Sequence, residues 1–171
     1  GHFPVLNMSH DTRQWYEDGG RRYIISGQDH IWLLEHGAGD HTYYEGSFEY
    51  DILGLIGSHE ELYWSTNEYS RLVALEDNFI SGDLYDLVQN GNYFLNYAPQ
   101  YELGHNNYID GLILGETAEP IVNVYEGSFG GLEDDDPSSI IMTAGLYNES
   151  YGSKIIFFAF NPLAVHAYNN N

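Results

Sequence analysis

The sequence predicts a single α/β domain, in which helices cover both faces of an open and mainly parallel β-sheet. A length of 171 residues, of which 43% are hydrophobic, suits one domain with its own core. A short helix at Ser9–Gly20 leads directly into a strand at Arg21–Ser26, which is the rhythm of α/β proteins. The run Lys154–Phe160 is almost continuously apolar, as expected of a strand buried on both sheet faces.

The first helix and the first strand have clear boundary signals. Ser9 or Asp11 can cap the helix, and Gly19-Gly20 is a natural helix stop. The strand after it is β-branched and aromatic, and Gly27 closes it. We expect Ile24-Ile25 to be buried on an inner strand of the sheet.

Two further helices are predicted after this strand. Asp29–His36 can start a helix whose tryptophan and leucines face the core. The apolar residues of Thr42–Leu55 recur at spacings that fit an amphipathic helix, in which Gly46 costs about 1 kcal/mol. Between residues 58 and 107, short apolar runs alternate with Gly, Asn and Asp, which predicts brief elements and hairpins.

The remaining predicted elements are mostly strands. β-Branched and aromatic runs predict strands at Pro120–Tyr125 and Ser139–Ala144, and the short apolar run at Ser70–Glu76 is also predicted to be a strand. A turn of helix is expected at Leu84–Val88. A last helix is expected at Leu163–Tyr168, because the preceding proline permits a helix start.

Charge and composition exclude several classes of function. Five Lys and Arg stand against 26 Asp and Glu, so the net charge is −21 at pH 7. Such a chain repels a phosphate backbone and an anionic membrane surface, which excludes nucleic-acid binding. The longest apolar run is far below the roughly 18–20 residues that span a bilayer. The chain has no cysteine, so disulfides, thiolate nucleophiles and Cys-ligated zinc are excluded as well.

Composition favours an extracellular or cell-surface location. Lys154 is the single lysine among many Asn, Tyr and Gly residues, a composition more typical of extracellular proteins. The triplets that begin at Asn7 and Asn148 match the acceptor pattern for N-glycosylation. The first residues lack the features of a signal peptide, as expected if the chain is a mature or excised module of a longer protein.

Three stretches of the sequence carry a resemblance to a known family. Residues 16–29 read Tyr-Glu-Asp-Gly-Gly-Arg-Arg-Tyr-Ile-Ile-Ser-Gly-Gln-Asp, residues 50–54 read Tyr-Asp-Ile-Leu-Gly, and residues 154–160 fit a closing strand. The chain resembles flavodoxin-like domains related to class I glutamine amidotransferases, which are often appended to secreted peptidases and adhesive proteins of bacteria and archaea. The resemblance implies a flavodoxin-like sheet and contact with other domains of a parent protein. Since Phe3–Met8 is all that could form an earlier strand, we expect the sheet to be incomplete at its N-terminal edge.

The resemblance also implies a comparison at the turn where an amidotransferase has its nucleophilic cysteine. The corresponding stretch here, residues 26–30, contains no cysteine. Ser26 does not replace it, because Ile24 stands where the Gly-x-Ser-x-Gly signature of serine hydrolases has its first glycine. We therefore expect no catalytic activity.

Two clusters of side chains offer metal ligands. The candidate zinc ligands are His30, His36 and His41, and the candidate calcium ligands are Glu133, Asp134, Asp135 and Asp136. Neither cluster has the spacing of a known metal motif: there is no His-Glu-x-x-His and no EF-hand loop. For both clusters we prefer the alternative of solvated surface side chains, so no cofactor is expected, with calcium as the alternative.

Aromatic residues are in excess, with 16 Tyr, 8 Phe and 3 Trp. Some of them are expected at the surface, where flat rings with a polar tip suit sugars and protein interfaces. A ligand is also expected at the carboxyl end of the first strand, where open α/β sheets bind ligands. The candidate ligand-binding residues are Gln28, Asp29, His30, Tyr43, Tyr44 and Trp64.

Three functions are consistent with these observations. The first is a non-catalytic accessory domain of an extracellular protein, which mediates protein–protein or glycan contact. The second is a structural subunit of a surface layer or extracellular filament, whose incomplete sheet edges are completed by neighbouring subunits. The third is a metal-dependent hydrolase that uses the histidines between residues 30 and 41.

Overall fold

Ten strands and two short helical segments make up the described part of the chain. The computed structural model describes residues 10–27, 40–59, 70–75, 78–82, 93–97, 109–124, 142–160, 162 and 165–169. The helical segments are α1 (His10–Glu17) and a π-helical turn (Glu49–Leu53). The strands are β1 (Arg22–Ser26), β2 (His41–Thr42), β3 (Leu55–His59), β4 (Ser70–Ala74), β5 (Tyr93–Tyr97), β6 (Gly111–Leu114), β7 (Ala118–Val124), β8 (Met142–Ser150), β9 (Ser153–Phe158) and β10 (Val165–Asn169).

The strands join one sheet that branches at β8. The main path runs β10-β5-β4-β7-β8-β6-β3-β2. One edge of β8 is shared by two strands. It pairs with β6 at Thr143 and with β9 from Gly145 to Ser150. β9 pairs in turn with β1, and this is the one parallel pairing among the described strands.

The predicted flavodoxin-like α/β fold, with a mainly parallel sheet and helices on both faces, is wrong. The described residues form mostly β-sheet, and nearly all strand pairs are antiparallel. A tight hairpin explains part of the difference. Tyr151 and Gly152 both have positive φ, 53° and 69°, and they join β8 to β9 so that Ser150 lies opposite Ser153. Because two residues with positive φ match the twist of an antiparallel pair, β9 follows β8 directly, without a crossover helix.

The strand β9 lies between β8 and β1, but it is not buried on both faces as predicted. Ser153, Ile155 and Phe157 are buried, whereas Lys154 is exposed and the residues at 156 and 158 are only half-buried. The strand β1 pairs with β9 and with no other described strand, and its predicted burial is wrong at one of the two isoleucines. Ile25 is buried, but the side chain of Ile24 is 66% exposed.

The other sequence predictions had mixed outcomes. The structure confirms the first helix and the predicted strands that correspond to β1, β4 and β7. The strand predicted at Ser139–Ala144 is shifted to β8. The helix predicted at Thr42–Leu55 is wrong, because Gly46 and Gly54 adopt φ of 101° and 72° and divide the segment into β2, the π-helical turn and β3. The helix predicted at Leu163–Tyr168 is wrong as well, since β10 pairs there with β5. The helices predicted at Asp29–His36 and Leu84–Val88 lie outside the described residues.

The core lies on one face of β8 and β9, beneath α1 and the π-helical turn. The buried side chains include Tyr16 of α1, Ile52 of the π-helical turn, Leu146 of β8 and Phe157 of β9. Two hydrogen bonds between residues far apart in the sequence attach the helical segments to these strands. The Ser153 hydroxyl donates to the Tyr16 carbonyl at 2.8 Å, and the Asn148 amide donates to the Ile52 carbonyl at 2.7 Å.

Arg13 joins the two helical segments. Its guanidinium donates to Glu17 at 2.7 Å, to the Gly46 carbonyl at 2.8 Å and to Asp51. Both helical segments are thereby held on the inner side of β8 and β9.

Candidate functional site

The outer side of β1, β9 and β8 is an ordered sheet surface that combines apolar and charged side chains. The strand register aligns its residues in three rows across the strands. The rows are Arg22, Lys154 and Glu149; Ile24, Ile156 and Tyr147; and Ser26, Phe158 and Gly145. We call these nine residues the open face. Alternation along each strand places them opposite the buried set, because successive side chains point to opposite sides of a sheet.

The middle row of the open face is apolar. Ile24 is 66% exposed, and Ile156 and Tyr147 are half-buried. Phe158 lies beside this row, over Gly145. A Cβ atom at Gly145 would lie 2.8 Å from the Phe158 ring, so glycine is what allows the ring to lie against the sheet. A large apolar side chain that is exposed next to other apolar groups is a feature of contact surfaces.

Phe79 extends the apolar row beyond the sheet. Its ring meets that of Tyr147 edge-on, with centroids 5.1 Å apart, and the side chain is 68% exposed. The turn that carries it is fixed by hydrogen bonds. Asn78 donates to the Pro120 carbonyl at 2.9 Å, and Ser81 donates to the Ile121 carbonyl at 2.6 Å. The ring is therefore presented to solvent by a turn that is attached to β7.

The charged row carries a small interaction network at the surface. Glu149 accepts a hydrogen bond from the Tyr147 hydroxyl at 3.1 Å and lies 3.1 Å from the Lys154 ammonium, which is 5.8 Å from the centre of the Tyr147 ring. The hydrogen bond with Lys154 lowers the pKa of Glu149, and Tyr147 adds to this effect. The pKa of Lys154 is raised, first by Tyr147 and then by Glu149. Both groups are thus charged over the whole physiological pH range.

Basic residues concentrate at the start of β1 and β9. Of the five Lys and Arg in the chain, three lie here, Arg21, Arg22 and Lys154. We call these three residues the basic corner. Arg21 lies 5.1 Å from the centre of the Trp15 ring and donates to the Trp15 carbonyl at 3.1 Å. Within the described residues, neither arginine of the corner has an acidic partner, so this corner is locally positive on a molecule of strongly negative net charge.

The structure separates two of the predicted aromatic site residues. Tyr43 lies in the core, 5% exposed, and its hydroxyl is 2.6 Å from that of Ser58. Tyr44 is 71% exposed. The other predicted ligand-binding residues lie outside the described residues; they are Gln28, Asp29, His30 and Trp64. Gly27, which directly precedes them, does follow the carboxyl end of β1.

Of the predicted metal ligands, the structure describes His41 alone. His30, His36, Glu133, Asp134, Asp135 and Asp136 lie outside the described residues. His41 is on β2, opposite Ser58 of β3. Nearby, His59 Nδ1 lies 2.8 Å from Asp40 Oδ1. No group of three or more metal-ligating side chains occurs among the residues that the structure describes.

The structure argues against glycosylation at the triplet that begins at Asn148. The side chain is fully buried in β8, and its Nδ2 atom, which would carry the sugar, donates to the Ile52 carbonyl. A glycan on this atom is incompatible with the folded chain. The other triplet, at Asn7, lies outside the described residues.

Sequence reasoning missed the open face. Tyr147, Phe79 and Ile24 were not among the predicted site residues, because the apolar run in β9 and the isoleucines of β1 were assigned to the core. A signal was nevertheless present. A two-residue Tyr-Gly link between Ser150 and Ser153 allows a hairpin, and an antiparallel hairpin often leaves one of its faces in water.

Comparisons of the chain with protein-family models, with curated proteins and with solved structures find no match. Among the described residues, no helix combines the length and the apolar character needed to cross a membrane.

Proposed function

We propose that this chain is a non-catalytic contact domain of an extracellular protein, and that its open face binds another protein. One observation carries the proposal. The open face and the adjoining Phe79 ring present exposed apolar side chains, Ile24 and Phe79 above all, next to charged side chains held in fixed positions. Protein interfaces have this composition, with an apolar centre and a polar rim.

The fixed positions of side chains on the open face support a binding function for this surface rather than accidental exposure. Tyr147 is held by its ring contact with Phe79 and by its hydrogen bond to Glu149. Rings fixed in this way lose little conformational entropy when a partner binds, which raises affinity. Tyrosine is also among the residues that most often carry binding energy in interfaces.

A protein fits this face better than a glycan does. Sugars stack on flat and accessible aromatic rings, whereas the most exposed large hydrophobic side chain on the described strands is an isoleucine, Ile24. Aliphatic side chains gain by being removed from water against other apolar groups, at about 25 cal/mol per Å². The partner is therefore expected to contribute apolar side chains of its own.

The test is site-specific photo-crosslinking in cells that produce the protein naturally. A photoreactive phenylalanine analogue replaces Ile24 in one variant and Ile56 in a second, matched variant. Ile56 is likewise an isoleucine on a strand, 45% exposed, but it lies on β3, away from the open face. We expect a protein adduct from position 24 and little or none from position 56.

Two results would contradict the proposal. Equal adduct yields at both positions would mean that the open face has no special role. A carbohydrate adduct at position 24 would show that the face binds glycans instead of a protein.

A further inference from the structure

Three buried polar atoms near the end of β8 have no hydrogen-bond partner among the described residues. They are the Tyr16 hydroxyl of α1, the Ser150 hydroxyl of β8 and the Oδ1 atom of Asn148 on the same strand. The Tyr16 and Asn148 side chains are fully buried. Because buried polar groups are almost always satisfied by the protein or by ordered water, atoms that the protein leaves unpaired indicate a bound molecule.

The strand β8 places two of these atoms at neighbouring positions on one side. Asn148 and Ser150 are two residues apart, so both side chains point to the inner side of the strand, as buried Leu146 does. Their Cα atoms are roughly 6.6 Å apart, since a strand rises about 3.3 Å per residue. One water joins atoms up to about 5.6 Å apart, because each of its hydrogen bonds spans about 2.8 Å. Two polar side chains at this spacing are within reach of the same water.

The helix α1 brings the third atom to the same end of β8. The Tyr16 carbonyl accepts from the Ser153 hydroxyl at 2.8 Å, and Ser153 lies opposite Ser150 in the β8–β9 hairpin. Burial raises the pKa of the Tyr16 hydroxyl, and Ser150 lowers it, which requires the two residues to be close. Tyr16 therefore lies next to Ser150, although no direct hydrogen bond joins their hydroxyls.

We propose that one water molecule binds between Tyr16, Ser150 and Asn148 and satisfies all three atoms. The amide oxygen of Asn148 only accepts, so the water donates to it. A hydroxyl both donates and accepts, so Tyr16 donates to the water and the water donates its second hydrogen to Ser150. The water thus makes three hydrogen bonds, the usual number for a buried water. The Asn148 Nδ2 atom keeps its hydrogen bond to the Ile52 carbonyl.

A water satisfies these atoms better than the two alternatives do. If the hydroxyls of Tyr16 and Ser150 rotated to bond each other directly, Asn148 Oδ1 would still have no donor. A metal ion would have three neutral oxygens and no carboxylate among these ligands, whereas calcium and magnesium prefer carboxylates.

The water site stands apart from the proposed function, because it lies on the inner side of β8. It nevertheless supports the strand that forms part of the open face. Tyr147 and Glu149 alternate with Asn148 and Ser150 along β8, so they lie on the outer side of the same segment. The water joins this segment to α1.

A high-resolution crystal structure of the wild-type chain is the direct test. We expect electron density for one water at about 2.6–3.2 Å from each of the three atoms. Density that shows a direct hydrogen bond between Tyr16 and Ser150 and no water would overturn the proposal. So would an ion with oxygen contacts of about 2.3–2.6 Å.

Magnetic relaxation dispersion of the solvent tests the site in solution, because it detects waters that stay bound while the protein rotates. The double variant Tyr16→Phe, Ser150→Ala removes two of the three partners. Ser81→Ala is the matched control: its hydroxyl is also buried, but it donates directly to the Ile121 carbonyl at 2.6 Å. We expect the double variant to lose the signal of about one long-lived water, and the control to keep it. Equal signals from the wild type and the double variant would overturn the proposal.

A measurement on the wild type keeps the test valid if the double variant does not fold, which circular dichroism would reveal. Nuclear magnetic resonance detects cross-relaxation between a bound water and nearby protein protons. We expect such a signal at the side-chain amide protons of Asn148, since the water is bound to the oxygen of the same group. No signal at these protons would overturn the proposal, whatever partner the open face binds.

Discussion

Tyr16 makes the stability of the folded core depend on pH. Its side chain is fully buried in α1, and burial raises the pKa of its hydroxyl, an effect that nearby Ser150 partly offsets. A tyrosine whose pKa is higher in the folded state resists loss of its proton. The folded state is therefore favoured below the unfolded pKa of about 10, and this contribution is lost as the pH rises toward the folded value.

We expect the wild-type melting temperature to fall more steeply above about pH 10 than that of Tyr16→Phe. The phenylalanine variant keeps the buried ring and has no proton to lose at this position. The other 15 tyrosines are present in both proteins, so the difference between the two curves isolates Tyr16. Thermal melts between pH 8 and 11, followed by circular dichroism, supply the measurement. Parallel curves would contradict the prediction.

Asn148 marks the limit of residue-level prediction. Its triplet indicates a surface acceptor, yet tertiary structure buries the side chain against the Ile52 carbonyl. A three-residue motif records what an enzyme recognises on an extended chain. It contains no information on which sheet face the asparagine will take, since that depends on partners far away in the sequence.

At the scale of elements, Gly54 controls how the π-helical turn passes into β3. It has φ of 72°, and a Cβ atom there would lie 2.9 Å from Thr117 Oγ1, 3.0 Å from Ala118 Cβ and 3.1 Å from Asn148 Cγ. Gly20, between α1 and β1, has nearly the same φ of 70°, but open space surrounds its Cβ position. Alanine substitutions at these two glycines therefore separate the free-energy cost of the left-handed backbone from the cost of steric crowding.

Gly20→Ala should cost about 1 kcal/mol of unfolding free energy, from its left-handed backbone alone. Gly54→Ala should cost a further 1–3 kcal/mol or so, because the added methyl group overlaps well-packed neighbours. Urea denaturation of the two variants and the wild type measures both values. If the two substitutions proved equally costly, the crowding argument would be wrong.

Prediction of elements succeeded where local signals were sufficient. The sequence of α1 offers candidate capping residues and a Gly-Gly stop, β4 is a short apolar run, and β7 is rich in β-branched residues. The segment at 42–55 failed because its apolar spacing fits a helix, whereas two glycines with positive φ interrupt it. The segment at 163–168 failed because pairing with β5, about 70 residues earlier, overrides local preference.

For the whole molecule, the net charge of −21 is the dominant long-range force. The basic corner and the ion pairs of Arg13 and Lys154 offset a small part of it. The rest acts as self-repulsion, which destabilises a compact chain relative to an expanded one. Salt screens this repulsion, as the Debye length falls from about 30 Å at 0.01 M to about 8 Å at 0.15 M.

The melting temperature should therefore rise between about 0.01 M and 0.15 M NaCl. At equal ionic strength, CaCl2 and MgCl2 give a further comparison. Screening alone should produce the same increase with both salts, whereas an additional increase with calcium would indicate a specific site, as the sequence allows at Glu133, Asp134, Asp135 and Asp136. A melting temperature that falls with NaCl would show that attractive ion pairs dominate instead.

The sequence by itself determined the composition of this protein, its charge, its lack of thiol chemistry and the position of several elements. Tertiary structure alone decided which strands pair, in which direction, and which face of each strand meets the core. Ile24, Ile156 and Phe158 are as apolar as Ile25, Ile155 and Phe157, so hydrophobicity does not distinguish the open face from the buried one. The choice was made by α1 and the π-helical turn, which cover one side of β8 and β9 and leave the other side to solvent.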